Sequence, residues 1–214
     1  MNTKEFFEET ADEYDIKRNK SYLKQALINL DKIFDDYKIK NKNILEVGVG
    51  TGEVFRLLCS RSKNTCGFDV SENMIKIAKN KSKKSRLYVG DAENIANKDD
   101  SFEFVICMDV LEHLGNPGKC LNEIKRVLKK NGIAFVVNPN PLWGPIQYLA
   151  ELFGLKVKEG KHNFVNINKI IPNKTEKIYQ GYLVFLPFTG LNYLEKIPLI
   201  RNLGFSQLFI LKKF

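Results

Sequence analysis

A glycine-rich loop follows the first apolar run of the chain and is flanked by two carboxylates. It reads EVGVGTGE, with Gly48, Gly50 and Gly52 between Glu46 and Glu53. Glycine lets the backbone turn sharply and lets a ligand approach without a Cβ in the way. The spacing is GxGxG, whereas the dinucleotide fingerprint is GxGxxG, and a pyrophosphate would meet like charge from the glutamates. The loop therefore predicts a ligand that carries no phosphate and has cationic groups.

Two aspartates stand where the next two predicted strands end. Asp69 lies 21 residues after Gly48, and Asp91 follows the third apolar run. Ligands of an open parallel sheet bind beyond the carboxyl ends of the strands, where a carboxylate after the second strand can accept hydrogen bonds from both hydroxyls of a ribose. Asp91 is placed to receive an adenine amino group. Together the acids predict a nucleoside-like ligand.

The chain has two histidines, which are the candidates for a catalytic base. His113 lies in LEHL after the fourth predicted strand, and His162 lies in GKHNFV. Histidine titrates near neutral pH and is the usual base for a hydroxyl nucleophile. A packing role is the alternative for each of them. No Asp-Asp-Asn set for a catechol-type metal is apparent, so the sequence predicts no metal site.

Short apolar runs alternate with amphipathic stretches, and this order favours a parallel sheet with helices on both faces. Helices are predicted over about 52–61, after the cap Ser71, and from Asn116 to the terminator at Asn131 and Gly132. The predicted strands are Asn43–Val47, Thr65–Phe68, Leu87–Val89, Phe102–Met108, Ile133–Val137, Tyr179–Phe185 and Phe205–Lys212.

We expect a single domain over residues 1–214, with a cofactor-binding core at 41–138 and terminal strands at 177–214. Residues 1–40 contain two helical apolar faces, one of them formed by Phe7, Ala11 and Tyr14. These helices are predicted to pack on the core or to lie over the sheet as a lid. Residues 139–176 are predicted to form a small cap that contributes to an acceptor pocket or only anchors the chain; its aromatic residues are Trp143, Tyr148 and Phe153.

The charge of the chain is unevenly distributed. The net charge is +9, with −5 on residues 1–16 and +14 on the remainder. A basic body can attract nucleic acid, anionic lipid or a phosphorylated substrate, or it can be a solvated surface. Nucleic acid is disfavoured because the lysines lack interleaved aromatic residues. The apolar stretch 181–205 leaves room for peripheral contact with a membrane.

Targeting signals and cysteine pairs are missing from the sequence. We find no long apolar run for a membrane helix and no basic-then-apolar leader. The four cysteines form no CxxC pair. We therefore expect a cytoplasmic protein with reduced cysteines.

Five segments together resemble the class I S-adenosylmethionine-dependent methyltransferases, especially the subgroup that methylates quinones, sugars and other small metabolites. They are ILEVGVGTGE, FDVSENMIKIAKN, VGDAENI, FEFVICMDVLEHL and EIKRVLKKNGIAFVVNPNP, and the resemblance covers roughly residues 40–141. It implies an α/β, doubly wound, seven-stranded, mostly parallel sheet of the Rossmann-like methyltransferase type. N-terminal helices and a small cap after strand five complete the expected fold.

The resemblance also implies S-adenosylmethionine as cofactor. Glu46 would contact the methionine ammonium, the three loop glycines would line the methionine portion, and Asp69 would hold the ribose. Asp91 with Ala92 would hold the adenine, and the backbone of Met108 would lie near the sulfonium. Met74, on the buried face of the helix after Ser71, joins this cofactor set.

The expected reaction is metal-independent methyl transfer to a small-molecule or lipid-linked acceptor, at oxygen or carbon. One alternative is an RNA- or protein-modifying methyltransferase, which the basic composition favours, although NPNP at 138–141 follows the fifth strand and not the fourth. Another is a non-catalytic S-adenosylmethionine-binding protein. An NAD-dependent oxidoreductase is the weakest alternative because of the loop charges.

Overall fold

The strongest apolar runs of the sequence form the centre of a seven-stranded sheet. The computed structural model describes residues 3–82, 86–145, 163, 165–184 and 204–214. Within them the strand order is β3-β2-β1-β4-β5-β7-β6. The strands are β1 (Ile44–Val47), β2 (Thr65–Asp69), β3 (Arg86–Val89), β4 (Phe102–Met108), β5 (Leu128–Pro139), β6 (Thr175–Val184) and β7 (Ser206–Lys213).

Strands β1 to β5 are parallel, and β7 runs antiparallel to both β5 and β6. The strand order reverses beside β1, which pairs with β2 on one side and β4 on the other. Val47 lies opposite both Phe68 and Cys107, so the carboxyl ends of the three strands meet at one edge. The predicted doubly wound, mostly parallel sheet is confirmed, and this edge is where such sheets bind ligands.

Five α-helices accompany the sheet in the described residues: α1 (Thr3–Lys17), α2 (Lys20–Asp36), α3 (Glu53–Arg61), α4 (Glu72–Lys81) and α5 (Pro117–Val127). Side-chain caps mark the starts of α4 and α5. Ser71 accepts a hydrogen bond of 3.1 Å from the backbone N–H of Met74, and Asn116 accepts one of 3.0 Å from that of Lys119. Both predicted caps are confirmed, each satisfying a backbone donor that the helix leaves open.

Apolar side chains fill both faces of the sheet. On one face α2 buries a stripe that packs against Phe135 of β5, whose ring meets that of Phe34 at 5.6 Å between centroids. On the other face α5 buries Cys120, Leu121 and Ile124 against β4 and β5. Burying both faces explains why the central strands read as continuous apolar runs and not as alternating ones.

The helix predicted to run from Asn116 to Asn131 ends earlier, at Val127. Leu128 pairs with Phe102 as the first residue of β5, and the pairing resumes at Ile133 opposite Phe104. The chain turns between these points through Asn131, whose φ is 61°. The prediction was wrong here because buried Leu128 fits the helical period and the strand equally well.

The last part of the chain departs from the prediction in extent. Strand β6 begins at Thr175, four residues before the predicted start, and β5 continues to Pro139, so both strands run into the predicted cap. Trp143 packs edge-to-face on Phe205 at 5.7 Å between ring centroids. Tyr148, Phe153 and the predicted helical piece at about 190–202 lie outside the described residues.

Candidate active site

A cavity of about 420 Å³ opens at the carboxyl ends of β1, β2 and β4. This volume is in the range of small-molecule sites. Residues of α1, the glycine loop, the ends of β2 and β4 and the turns after β3 and β4 form its wall. Among them are Phe7, Arg18, Glu46, Gly48, Gly50, Asp69, Met74, Asp91, Ala92, Met108, Asp109 and His113.

The glycine loop is shaped by close contacts that no side chain would fit. Gly48 has φ +72°, and a Cβ there would lie 2.3 Å from Val110 Cγ2. Gly52 has φ +90°, and a Cβ there would lie 2.9 Å from the Cβ of Ala78 on α4. A Cβ on Gly50, φ +50°, would meet nothing within 4 Å. Gly48 and Gly52 therefore let the chain pack on itself, while Gly50 leaves space on the cavity side.

Asp69 ties the end of β2 to the glycine loop. Its Oδ2 accepts a hydrogen bond of 2.8 Å from the Gly50 N–H, and its Oδ1 accepts one of 3.0 Å from the Ser71 N–H. Burial raises the pKa of this carboxyl, and the backbone donors oppose the rise. The acid that was predicted to hold a ribose thus also fixes the loop beside it.

Glu46 is a buried carboxylate with an open acceptor. It is 3% exposed, and its Oε2 has no hydrogen-bond partner among the described residues. Burial raises the pKa of the Glu46 carboxyl well above its usual range, the charge of Asp69 adds to the rise, and Arg18 opposes it. A buried carboxylate without partners is costly. The site therefore fits a ligand that brings a cation to this oxygen.

Of the nine residues predicted to bind the cofactor, eight line the cavity. Gly52 does not, since it faces α4. Asp91 and Ala92 lie together after β3, and Met74 lies on α4 behind Asp69. The structure brings these residues together at one edge of the sheet; the role of each stays a prediction.

Helix α1 is tied to the glycine loop by an acid that the sequence analysis did not single out. Thr51 Oγ1 donates a hydrogen bond of 2.6 Å to Asp15, and Lys81 Nζ lies 2.5 Å from the other oxygen of that carboxylate. Lys81 also pairs with Glu53 at 2.8 Å. Since Glu53 is neutralised by Lys81, the charge argument against a pyrophosphate rests mainly on Glu46.

The front of α1 is tied to the other side of the cavity. Glu8 accepts a hydrogen bond from the hydroxyl of Ser71, and its backbone carbonyl accepts one of 3.0 Å from Asn73 Nδ2. Phe7 packs edge-to-face on His113 at 5.1 Å between ring centroids. Helix α1 therefore crosses the cavity from the turn after β4 to the glycine loop.

His113, predicted as a catalytic candidate, lies in the cavity wall after β4, with Nε2 4.0 Å from Glu112 Oε1. His162 lies outside the described residues. Asp109, next to the end of β4, also lines the cavity, and Tyr22 Oη donates a hydrogen bond of 2.8 Å to its Oδ2. Arg18 lines the same space. Sequence reasoning missed both residues, although the strand-end position that singled out Asp69 and Asp91 could also have found Asp109; Arg18 had no such signal.

Metal-binding clusters and membrane-spanning helices are absent from the described residues. Among them, no group of three or more His, Cys, Asp or Glu side chains could hold a metal ion. Within the same residues, no helix combines the length and apolarity needed to cross a membrane. The four cysteines, all in described segments, are free.

Comparison with known proteins indicates the kind of enzyme to which this cavity belongs. Residues 45–136 match the family model described as a methyltransferase domain. The chain is 26% identical over 174 residues to the ubiquinone biosynthesis O-methyltransferase of Coxiella burnetii (strain Dugway 5J108-111), covering 78% of this chain and 74% of that one. It is 31% identical over 124 residues to the protein of that name from Pelagibacter ubique (strain HTCC1062), covering 56% and 51%.

A solved structure shares the fold over nearly the whole length. It is a SAM-dependent methyltransferase of Thermotoga maritima, described as a possible histamine N-methyltransferase, with a TM-score of 0.72 and 21% identity over 98% of this chain and 99% of that one. Residues 45–136 are a methyltransferase domain, and the chain resembles the S-adenosylmethionine-dependent methyltransferases. The cofactor of this methyltransferase supplies the methyl group from a sulfonium. The open carboxylate of Glu46 and the space beside Gly50 fit that cationic, phosphate-free molecule.

Proposed function

We propose that this methyltransferase acts on a hydroxyl-bearing small-molecule or lipid-linked acceptor, at oxygen or carbon and without a metal. The observation that carries this proposal is the position of α1 across the cavity, where Phe7 packs on His113 and Asp15 bonds to Thr51. A cavity covered in this way admits a small group more readily than a nucleic acid or a protein loop. The two curated relatives, which are named as O-methyltransferases, support the same acceptor class.

On the cofactor side we assign a role to each polar group. Glu46 binds the methionine ammonium, and Arg18 binds the methionine carboxylate, because it is a cavity-lining cation close enough to Glu46 to affect its pKa. Asp69 accepts from the ribose hydroxyls, and Asp91 with Ala92 contacts the adenine. The backbone at Met108 lies near the sulfonium. Holding these groups in place aligns the methyl group with the acceptor, which is the main requirement of a direct displacement.

On the acceptor side, His113 and Phe7 form a wall, and α1 acts as a lid that excludes water when it is closed. The role of His113 as catalytic base remains a prediction from the sequence. His162, the other candidate, lies outside the described residues. The same holds for much of the apolar stretch 181–205, on which peripheral contact with a membrane was based.

The charge of the cavity argues against an RNA substrate. Two basic residues, Lys4 and Arg18, line it together with Glu53, whose charge Lys81 neutralises, and with five further acidic residues: Glu46, Asp69, Asp91, Glu93 and Asp109. This excess repels phosphates. The +14 body charge therefore does not extend into the cavity, and a neutral or cationic acceptor fits best.

Calorimetric titration with S-adenosylmethionine and with NAD tests the cofactor assignment. We expect saturable binding of the former and none of the latter. Transfer of a tritiated methyl group to a dihydroxyphenol with a short prenyl chain then tests the acceptor class, with a polyanionic RNA oligonucleotide as comparison. Label in the RNA and none in the phenol would contradict the proposal.

A further inference from the structure

Three of the cavity's buried or strand-end carboxylates are accounted for by the cofactor, and Asp109 is not. Glu46, Asp69 and Asp91 suit the ammonium, ribose and adenine. Asp109 lies directly after Met108, at the end of β4 where the methyl group is expected. A further carboxylate beside the reacting atoms is positioned for the acceptor.

The backbone of Asp109 is held in an unusual conformation. Its φ is +53°, in the left-handed region, and its N–H donates a hydrogen bond of 3.0 Å to the carbonyl of Val137 on β5. Six non-glycine residues in the described part of the chain have positive φ, and of these Asp109 is the one that lines the cavity. Such strain persists where the surrounding structure fixes it, and it clusters at functional sites.

Tyr22 holds the carboxylate of Asp109 in place through its hydroxyl group. Its hydroxyl donates 2.8 Å to Asp109 Oδ2, and its ring packs on Phe205 at 5.6 Å between centroids. Burial and the neighbouring Asp109 charge raise the pKa of Tyr22 well above its usual range, so the phenol stays a donor at any working pH. A neutral donor on one oxygen orients the carboxylate and favours its ionised form.

We propose that Asp109 is the catalytic residue that receives the proton of the acceptor hydroxyl and that Tyr22 is its positioning residue, an assignment that rests on the proposed function. The new bond joins the methyl carbon to the acceptor oxygen. The bond from the methyl carbon to sulfur breaks with its electron pair left on sulfur. The hydroxyl proton passes to the Asp109 carboxylate and leaves to water when the product departs.

The groups around Asp109 come from several elements. Tyr22 faces it from α2, Arg18 and Glu46 share its cavity, and Glu112 follows in the next turn. Cys107 on β4 is close enough that its pKa, raised by its hydrogen bond with Cys120 and by burial, also responds to the charges of Glu112 and Asp109. A hydrogen bond with Ser206 on β7 partly offsets the rise in the pKa of Tyr22. These charges are unchanged in a Tyr22→Phe variant, which removes only the donor.

The test measures methyl transfer to the short-chain prenylated dihydroxyphenol as a function of pH, with cofactor affinity measured separately by calorimetry. We expect Asp109→Asn to lower kcat by about 100-fold or more, the size of a lost acid–base step, and to change the Kd for S-adenosylmethionine by less than about twofold. We expect Tyr22→Phe to move the acid limb of kcat to higher pH by about one unit, because the hydrogen bond to the ionised carboxylate is lost. Tyr37→Phe, which removes a phenol from the end of α2 outside the cavity, is the matched control and should leave the acid limb in place.

A purely structural role for Tyr22 would lower stability without moving the acid limb, and that result would overturn the proposal. So would an acid limb that disappears in His113→Gln and survives in Asp109→Asn, which would make His113 the base. A wild-type enzyme that binds S-adenosylmethionine but transfers no methyl to the phenol also overturns it. Absence of S-adenosylmethionine binding would instead contradict the proposed function.

Discussion

The carboxylate of Asp15 links the N-terminal helix to the glycine loop, accepting a hydrogen bond of 2.6 Å from the hydroxyl of Thr51. Lys81 of α4 holds the other carboxylate oxygen at 2.5 Å and pairs with Glu53 at the start of α3. One acid therefore joins α1 to both helices that flank the loop. Through these contacts, the position of α1, our proposed lid, is coupled to the glycine loop.

We expect Asp15→Asn to speed the release of S-adenosylmethionine by roughly threefold to tenfold, since a lost hydrogen bond to a charged group changes such equilibria by about 1 kcal/mol at a partly exposed site. The amide keeps the shape but not the charge that Lys81 requires. Stopped-flow displacement of the bound cofactor measures the rate. Asp12→Asn, which changes an exposed acid on the same helix, is the control. Equal release rates in both variants would show that the Asp15 contacts do not slow cofactor release.

The pKa of Asp15 determines how the contacts between α1 and the glycine loop depend on pH. Burial acts to raise the pKa of Asp15, but hydrogen bonds from Lys81 and Thr51 hold this pKa below its ordinary value of 3.8. A lowered carboxyl pKa stabilises the closed form above the ordinary value, and the contribution is lost as the pH falls through the folded-state pKa. Cofactor release should therefore be insensitive to this group between pH 5 and 8.

We expect Glu46→Gln to stabilise the protein without cofactor while weakening cofactor binding. Burial and the Asp69 charge raise the pKa of Glu46, so the folded state binds this proton more tightly than the unfolded chain does. Stability from this group therefore falls as the pH rises above about 4.5, by about 1.4 kcal/mol for each unit of the pKa rise that is crossed. Glutamine removes that loss.

Thermal unfolding from pH 4.5 to 8 measures the stability part of this prediction, with roughly 2–4 °C expected per kcal/mol in a chain of this size. The variant should unfold at higher temperature than the wild type at pH 8, and the gap should close toward pH 4.5. Calorimetry should show about tenfold weaker binding of S-adenosylmethionine or more, because an ammonium favours the ionised carboxylate. A variant that is less stable at pH 8 would contradict the pKa argument.

The features that the sequence predicted well are those determined by residues that are adjacent in the sequence. The Ser71 and Asn116 caps, the carboxyl ends of β1 to β4 and the Asp69 position each depend on a few adjacent side chains. The hydrogen bonds of Asp15 with Thr51 and of Tyr22 with Asp109 join residues 36 and 87 positions apart, and no periodicity encodes them. The end of α5 was missed for another reason, since Leu128 satisfies both a helical face and a strand.

Two glycines of the loop should respond differently to alanine. In Gly48→Ala the new Cβ would lie 2.3 Å from Val110 Cγ2, so the loop or the turn after β4 must move, and we expect loss of several kcal/mol of stability together with binding. In Gly50→Ala nothing lies within 4 Å, so only the left-handed φ opposes the change, at about 1 kcal/mol. Denaturant unfolding and calorimetry measure the two effects. Equal destabilisation would show that the Val110 contact does not restrain the loop.

The ribose assignment of Asp69 can be tested by a thermodynamic cycle. In Asp69→Asn an amide N–H must replace one oxygen that now accepts from Gly50 or Ser71, so both the loop anchor and the ribose acceptor weaken. We expect affinity for S-adenosylhomocysteine to fall by about 10–100-fold, as when a buried acceptor is lost.

The 2′-deoxy form of the same ligand separates these two effects. If Asp69 accepts from the ribose hydroxyl, the deoxy ligand binds the wild type more weakly, and its further loss of affinity in Asp69→Asn is smaller than the loss for the full ligand, because only the loop anchor remains to be weakened. If Asp69 only anchors the loop, the two losses add. Additive losses, measured by calorimetry with both ligands and both proteins, would therefore remove Asp69 from the ribose site and leave it as the residue that shapes the loop.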